Sequence, residues 1–378
     1  MFNKVLKNLK VLHFYKTSLL ESHGGVEKFI DTLCKGTYDL GVENIFFTLR
    51  KKYINKEIKL KKYTIVNAKQ DFYFLSTGFS ISAFFEFKKL TKEVDIIHYH
   101  FPNPFADILH FISGNKKPFL ITYHSDIIKH SYLLFIYKFL MNKFFRKSKN
   151  IVLTSQNYFK SSNYLSGYKN KVRVIPLGID LNTYPKINER IICYYNQQFK
   201  EPFFLFVGAL RYYKGLEFAL KAIANTNFKF VIAGDGDNKS KLVKLANTLN
   251  LDNVTFLGDI SEEEKVCLLA LCKCFLFPSN KRSEAFGIAL LEAAAFGKPM
   301  ISCDIGTGTS FVNIHNETGL VIKPNSALEI RKAMNFIISN PEISKLMGLN
   351  SKKRYLNLFT AEKQAKNYLE IYKEILYS

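Results

Sequence analysis

Apolar residues in this chain recur as short unbroken runs, each followed by a stretch where apolar positions return every three or four residues. Unbroken runs fit strands covered on both faces, and the second pattern fits helices with one buried side. Their alternation predicts an α/β protein built on parallel sheets. In the first half the predicted strands are Lys10 to Tyr15, Asn44 to Thr48, Tyr63 to Val66, Asp95 to Tyr99, Phe119 to Tyr123, Ile151 to Thr154 and Val172 to Ile175. A helix is predicted from about Val26. After Pro176 to Asp180 the chain turns polar and tyrosine-containing as far as Glu201. The alternation then restarts, with strands at Phe203 to Val207, Lys229 to Ala233, Val254 to Leu257, Cys274 to Phe277, Met300 to Cys303 and Leu320 to Ile322. Helices are predicted at Leu216 to Ala224, Lys239 to Leu249 and Glu262 to Leu271, with further helices from Leu328 to Tyr377.

This pattern divides the chain into a Rossmann-like domain over 1–181, a linker over 182–201 and a second Rossmann-like domain over 202–359. Such sheets bind ligands at the carboxyl ends of their strands, and two of them facing each other leave a cleft. At 378 residues the chain is long enough for both. A hydrophobic fraction of 47% with mixed charge excludes a disordered chain. No run reaches the roughly twenty apolar residues of a spanning helix, and the lysine-interrupted first fifteen residues do not read as a secretory leader. The six cysteines lie scattered without a paired spacing, which fits buried thiols in a reducing cytoplasm.

Charge changes the picture for the first half only. The net charge is +22; residues 1–180 hold 29 Lys and Arg against 13 Asp and Glu, or +16, and the remainder holds 25 against 19, or +6. Much of the excess lies among aromatic residues between Lys129 and Lys149, where one helix could carry a basic and a wide apolar face. Such a helix suits an anionic membrane surface; it equally suits a core-facing helix with a solvated basic edge. No recognition helix, zinc finger or RNA-binding signature accompanies the charge, so nucleic acid is not an expected partner.

The candidate chemistry concentrates in Lys281 to Met300. Glu284 precedes an Ala- and Leu-rich helix and Glu292 lies within it, about two turns in if the helix starts near Phe286. The free amides of Phe286, Gly287 and Ile288 would then favour an anion such as phosphate. The two carboxylates could hydrogen-bond hydroxyls on either side of it. A Glu before a helix also serves as a plain dipole-complementing cap. Arg211 and Lys214 follow a strand end at Val207-Gly208 and are placed to neutralise a phosphate-like anion. Gly24-Gly25 follows the first strand, Gly234 and Gly236 another strand end, and Gly306 to Thr309 forms a loop that either borders a ligand or is a tight turn. His98 and His100 share a strand face, a possible metal spacing without an accompanying carboxylate or thiol cluster. His124 closes another strand, with Asp126 after it; Glu27, Asp107 and Asp126 are the N-terminal candidates for a general base, and none stands out.

Glu284 with Glu292 resembles the two-glutamate signature of retaining glycosyltransferases of family 4, which have the GT-B fold. The segment from Val207 to Gly215 resembles that family's donor-phosphate motif, although Ala209-Leu210 precede the Arg. The resemblance covers nearly the whole chain. It implies donor contacts by Gly25, Arg211, Lys214, Phe286, Gly287, Ile288 and Glu292, with His124 and Glu284 at the transferred sugar. It implies a last helix, about 360–378, that crosses back onto the first domain, and a nucleotide base near Leu257 to Ile260. It implies retention of configuration, in which the departing phosphate takes the acceptor proton, and no metal or other cofactor. Ile121 to Lys129, Ile175 to Asp180, Ser283 to Glu292 and Cys303 to Val312 resemble bacterial mannosyltransferases of O-antigen and capsule synthesis. These imply GDP-mannose as donor and a glycan on polyprenyl diphosphate as acceptor, at the cytoplasmic face of the plasma membrane. A UDP-sugar donor is the alternative, and a non-catalytic nucleotide-sugar-binding subunit is the alternative of another class.

Overall fold

The computed structural model describes residues 9–22, 24–51, 55–74, 77–127 and 134–377, with side chains from 137 in the last segment. It divides into two compact units. The first comprises residues 1–154, 162–178 and 361–378, and the second 155–161 and 179–360. The part of the basic segment from Lys129 to residue 133 lies outside the described residues.

The first unit carries strands β1 (Leu9–Phe14), β2 (Val42–Arg50), β3 (Glu57–Lys59), β4 (Thr64–Lys69), β5 (Phe72–Phe74), β6 (Thr77–Phe79), β7 (Ile96–Phe101), β8 (Phe119–Tyr123), β9 (Asn150–Leu153) and β10 (Val172–Val174). Eight of them form one sheet in the order β10-β9-β8-β7-β1-β2-β4-β3. All neighbours run parallel except β3, which pairs antiparallel with β4. Strands β7, β8 and β9 are buried along their whole length, as unbroken apolar runs require when helices cover both faces. Strands β5 and β6 pair separately as a hairpin whose Phe72, Tyr73 and Phe74 are exposed. The sequence pattern misses this hairpin because both strands are three residues long and β5 is exposed throughout, too little to show a period.

Helix Gly25–Tyr38 buries Phe29, Ile30, Leu33, Cys34 and Thr37, the spacing of one helical face. It packs against helix Ala361–Tyr377, which belongs to the first unit and buries Tyr368, Leu369, Tyr372 and Ile375. Five of the six cysteines are buried; Cys193 is exposed.

The second unit carries β11 (Phe203–Val207), β12 (Lys229–Ala233), β13 (Val254–Gly258), β14 (Cys274–Phe277), β15 (Met300–Cys303) and β16 (Gly319–Ile322). They form a parallel six-stranded sheet in the order β13-β12-β11-β14-β15-β16. The stretch read as a linker is part of this unit. Helix Glu189–Gln198 within it is capped by Asn188 and tied to helix Glu262–Leu271 by a hydrogen bond of 2.9 Å from the Tyr195 hydroxyl to Glu264. One tyrosine of this polar stretch, Tyr195, makes this contact.

Candidate functional site

Strand order reverses between β11 and β14 in the second unit, and ligands of doubly wound sheets bind outside the carboxyl ends of such strands. The two loops that leave these strands interlock. Gly215 has φ 66°, a left-handed conformation, and a side chain there would meet the carbonyl oxygen of Pro278 at 2.2 Å. The Asn280 amide donates to the Tyr213 carbonyl at 3.0 Å.

Lys214 sits at this junction, 9% exposed, and its ammonium lies 2.5 Å from Glu284 Oε2 and 4.8 Å from the centre of the Phe277 ring. Ser279 Oγ donates to the same Oε2 at 3.2 Å. Helix Ile288–Ala295 follows. Gly287, at φ 88°, turns the chain into it, and Phe286 buries its ring just before. The helix therefore starts two residues later than the pattern predicts, and Glu292 lies just over one turn inside it rather than two. The amides of Phe286, Gly287 and Ile288 make no hydrogen bond among the described residues.

Glu292 is 5% exposed. Its Oε1 accepts from Lys265 Nζ and from the Tyr184 hydroxyl, both at 2.8 Å. Lys265 also reaches Glu262 at 2.5 Å. Burial pulls the Lys265 ammonium down, but Glu292 and Glu262 outweigh it and raise its pKa. Burial and the Glu292 carboxylate together raise the Tyr184 phenol. The two glutamates thus share a design: one oxygen is held by a buried lysine and a hydroxyl, and the other, Glu284 Oε1 or Glu292 Oε2, accepts nothing among the described residues. Arg211 is exposed beside this cluster in sequence and makes no ion pair among the described residues. In the same loop as Glu284, Arg282 donates to Ser161 Oγ at 2.6 Å and to the Gly306 carbonyl at 3.1 Å, which ties down the 304–308 turn.

Lys265 and Tyr184 were not legible as partners of Glu292. The available signal was a lysine at an apolar position of helix Glu262–Leu271, next to Val266, Cys267, Leu268 and Leu269.

The first unit brings its own polar residues to its own strand reversal, between β1 and β7. His13 on β1, His98 and His100 on β7 and His124 after β8 stand in a row. His13 Nδ1 lies 3.1 Å from His100 Nε2, and His100 Nδ1 lies 3.0 Å from His124 Nε2. His98 turns elsewhere, with Nδ1 2.8 Å from the Tyr372 hydroxyl and Nε2 2.6 Å from Thr122 Oγ1. Burial lowers His13 to about 4 and His124 to about 3. It also pushes His98 and His100 well below their ordinary value, helped by the neighbouring rings. The imidazoles are therefore neutral at pH 7. His13, His98 and His100 each bring a nitrogen within 4.8 Å of the others, the geometry of a possible metal triad. Each nitrogen of His13, His98 and His100 already has a hydrogen-bonding partner.

Gly25 opens helix Gly25–Tyr38, and Glu27 in its first turn accepts from Thr17 Oγ1 at 2.5 Å. Asp126 accepts from the Tyr123 hydroxyl at 2.8 Å and from Ser162 Oγ at 3.0 Å. Asp107 is buried, which raises its pKa well above the ordinary carboxylate range, and accepts from the Tyr137 hydroxyl. All three carboxylates are engaged within the first unit.

The sequence pattern described as Glycosyltransferase Family 4 matches residues 23–183, and that described as Glycosyl transferases group 1 matches residues 194–354. The chain is 44% identical, over 93% of its length and 93% of the relative's, to the D-rhamnosyltransferase WbpZ of Pseudomonas aeruginosa. It is 38% identical, over 98% of its length and 100% of the relative's, to the O-antigen chain mannosyltransferase C of Escherichia coli. The chain belongs to glycosyltransferase family 4. A sucrose-phosphate synthase from Thermosynechococcus elongatus superposes with a TM-score of 0.78 at 20% identity, over 98% of this chain and 99% of that one. Anabaena HepE in complex with UDP superposes with a TM-score of 0.77 at 17% identity, over 97% and 100%. The fold is GT-B.

Proposed function

We propose that this glycosyltransferase moves a hexose from a nucleotide-sugar to a lipid-linked glycan in bacterial surface polysaccharide synthesis, with α-mannose from GDP-mannose as the preferred reading. The observation that carries it is the pair of half-satisfied glutamates at the β11/β14 reversal. Glu284 Oε1 and Glu292 Oε2 are acceptors held ready for hydroxyls. The free amides of Phe286, Gly287 and Ile288 lie between them in sequence, Lys214 is paired with Glu284, and Arg211 lies three residues before Lys214; amides and cations together suit a diphosphate. The names of the two relatives support a sugar of manno configuration, since D-rhamnose is 6-deoxy-D-mannose.

In this reading Glu292 binds the nucleotide ribose, Glu284 and His124 orient the sugar, and Arg211 with Lys214 takes up the charge that develops on the leaving diphosphate. No metal is required for that neutralisation. Transfer proceeds with retention: the bond from the anomeric carbon to the diphosphate breaks, the acceptor oxygen bonds to the same face, and the departing phosphate oxygen takes its proton.

The test is thermal stabilisation of the protein by GDP, GDP-mannose, UDP and UDP-glucose, repeated on Lys214→Ala and Glu292→Ala. A ligand at about a hundred times its Kd stabilises by about 2.7 kcal/mol. A shift with GDP and GDP-mannose that both variants lose upholds the reading. A shift with UDP alone moves the donor to a UDP-sugar, and no shift with any nucleotide leaves a non-catalytic subunit.

The acceptor on polyprenyl diphosphate implies a membrane surface, and helix Leu134–Lys147 supports one. Phe139 is 79% exposed, Lys138, Lys143, Arg146 and Lys147 are exposed, and Lys143 and Lys147 both lie over the Phe111 ring next to the exposed Ile112. No helix among the described residues is long and apolar enough to cross a membrane. Sedimentation with anionic liposomes at low salt but not at 1 M salt, where screening is nearly complete, is the expected result; no sedimentation at low salt would remove this part.

A further inference from the structure

The histidine row in the first unit has a direction, and the direction is set at its buried end. Asn44 is 1% exposed, and its Nδ2 donates to the carbonyls of Cys34 at 3.0 Å and Val42 at 3.2 Å and to Thr37 Oγ1 at 3.0 Å. Thr37 Oγ1 spends its own hydrogen on the Leu33 carbonyl at 2.7 Å. Three acceptors around one nitrogen leave the Asn44 amide a single orientation, with Oδ1 facing His13 Nε2 at 3.1 Å.

An amide oxygen only accepts, so His13 Nε2 carries the proton. A neutral ring has one proton, so His13 Nδ1 is a lone pair, and the nitrogen 3.1 Å away, His100 Nε2, must donate to it. By the same step His100 Nδ1 is a lone pair and His124 Nε2, 3.0 Å away, carries a hydrogen. His124 is the most exposed of the four residues, at 8%, and its Nδ1 has no partner among the described residues.

We propose that Asn44, His13 and His100 form a hydrogen-bonded relay that fixes His124 as the Nε2–H tautomer, so that its Nδ1 is a standing acceptor for a ligand hydroxyl. The tautomer follows from the first unit alone; the hydroxyl rests on the reading of His124 as a sugar contact. Asn44, His13 and His100 act through His124 and are positioning residues. A free histidine in water exchanges between two tautomers and offers a hydroxyl either a donor or an acceptor. The relay removes one of these and so selects a ligand group that donates.

The experiment is long-range proton–nitrogen NMR on the full chain labelled with nitrogen-15 in histidine, without ligand at pH 7, with metal content measured on the same sample. The expected spectrum has His13, His100 and His124 each with a protonated Nε2 and an unprotonated Nδ1. Averaging between tautomers at His124, a proton on its Nδ1, or one equivalent of tightly bound metal on the row would overturn the relay. His100→Phe fills the ring volume but cuts the relay, so the His124 signals should average while those of His98 stay. His100→Gln presents a donor and an acceptor at about the spacing of the ring nitrogens and should restore the single tautomer. Turnover separates the two parts. A fall in kcat of about tenfold in His100→Phe, the effect of one misdirected hydrogen bond, rescued in His100→Gln, upholds the hydroxyl contact. A fixed tautomer with unchanged turnover and donor affinity in His124→Ala would overturn the contact while the donor site of the second unit stood.

Discussion

The two units share an architecture and differ in how they bury polar groups. The first holds a row of uncharged imidazoles at its strand reversal, satisfied by each other, by Asn44, by Thr122 and by Tyr372. The second holds charge: Lys214 against Glu284 and Lys265 against Glu292, at side-chain exposures of 6–12%. A neutral network tolerates burial as long as every donor meets an acceptor, whereas a buried charge survives only beside its counter-charge. The second unit thus pairs each of these buried lysines with a glutamate, and the first keeps its histidine row neutral and hydrogen-bonded.

The comparison is broken most severely at Lys265. Replacing it by Met leaves Glu292 buried with only the Tyr184 hydroxyl, and the expected loss is about 3–5 kcal/mol in urea unfolding of the second unit. The double replacement Lys265→Met with Glu292→Leu should recover most of that loss. If it does not, the pair is not an ion pair whose members depend on each other.

Acid sharpens the comparison next. The row's histidines have folded pKa values below the unfolded value of about 6.5, with His13 at about 4 and His124 at about 3. The unfolded chain therefore binds protons first, and stability present above about pH 6.5 is lost as pH falls toward 4, by about 1.4 kcal/mol per pH unit for each such histidine. The loss should fall on the first unit, and hydrogen exchange resolved by peptide would locate it. Equal loss in both units over that window would refute it.

The smallest effect is at Ser261, which caps helix Glu262–Leu271 in a capping box with Glu264. Ser261→Ala should cost about 1 kcal/mol, read as a small fall in the urea midpoint of the second unit only.

Much of the architecture was legible in the chain because fully buried parallel strands announce themselves as unbroken apolar runs. Lys229–Ala233, Cys274–Phe277 and Met300–Cys303 run between the residues the pattern gives. Glu284, Glu292 and Lys214 stood out as candidates because a strand end and a helix start carry them at short spacing, and the structure brings Lys214 to Glu284. Their partners were not. Lys265 is 27 residues from Glu292 and Asn44 is 31 from His13, and a contact across such separations has no period to read. His13 itself looks like any residue of an apolar strand until the sheet order sets β1 beside β7. The extent of residues 182–201 was misread for a related reason: amphipathic helix Glu189–Gln198 has a low apolar content and its buried face is mainly Tyr195.

Helix Ala361–Tyr377 completes the first unit, where Tyr368 and Tyr372 reach Thr122 and His98 at 2.8 Å. Residues 179–360, the bulk of the second unit, come between it and the rest. During synthesis the first unit thus waits for its closing helix while those 182 residues are made, about 10 to 40 s at ribosomal rates of about 5–20 residues per second. For that interval His98 and Thr122 lack their tyrosine partners, and the later-made half is the first to have all its residues.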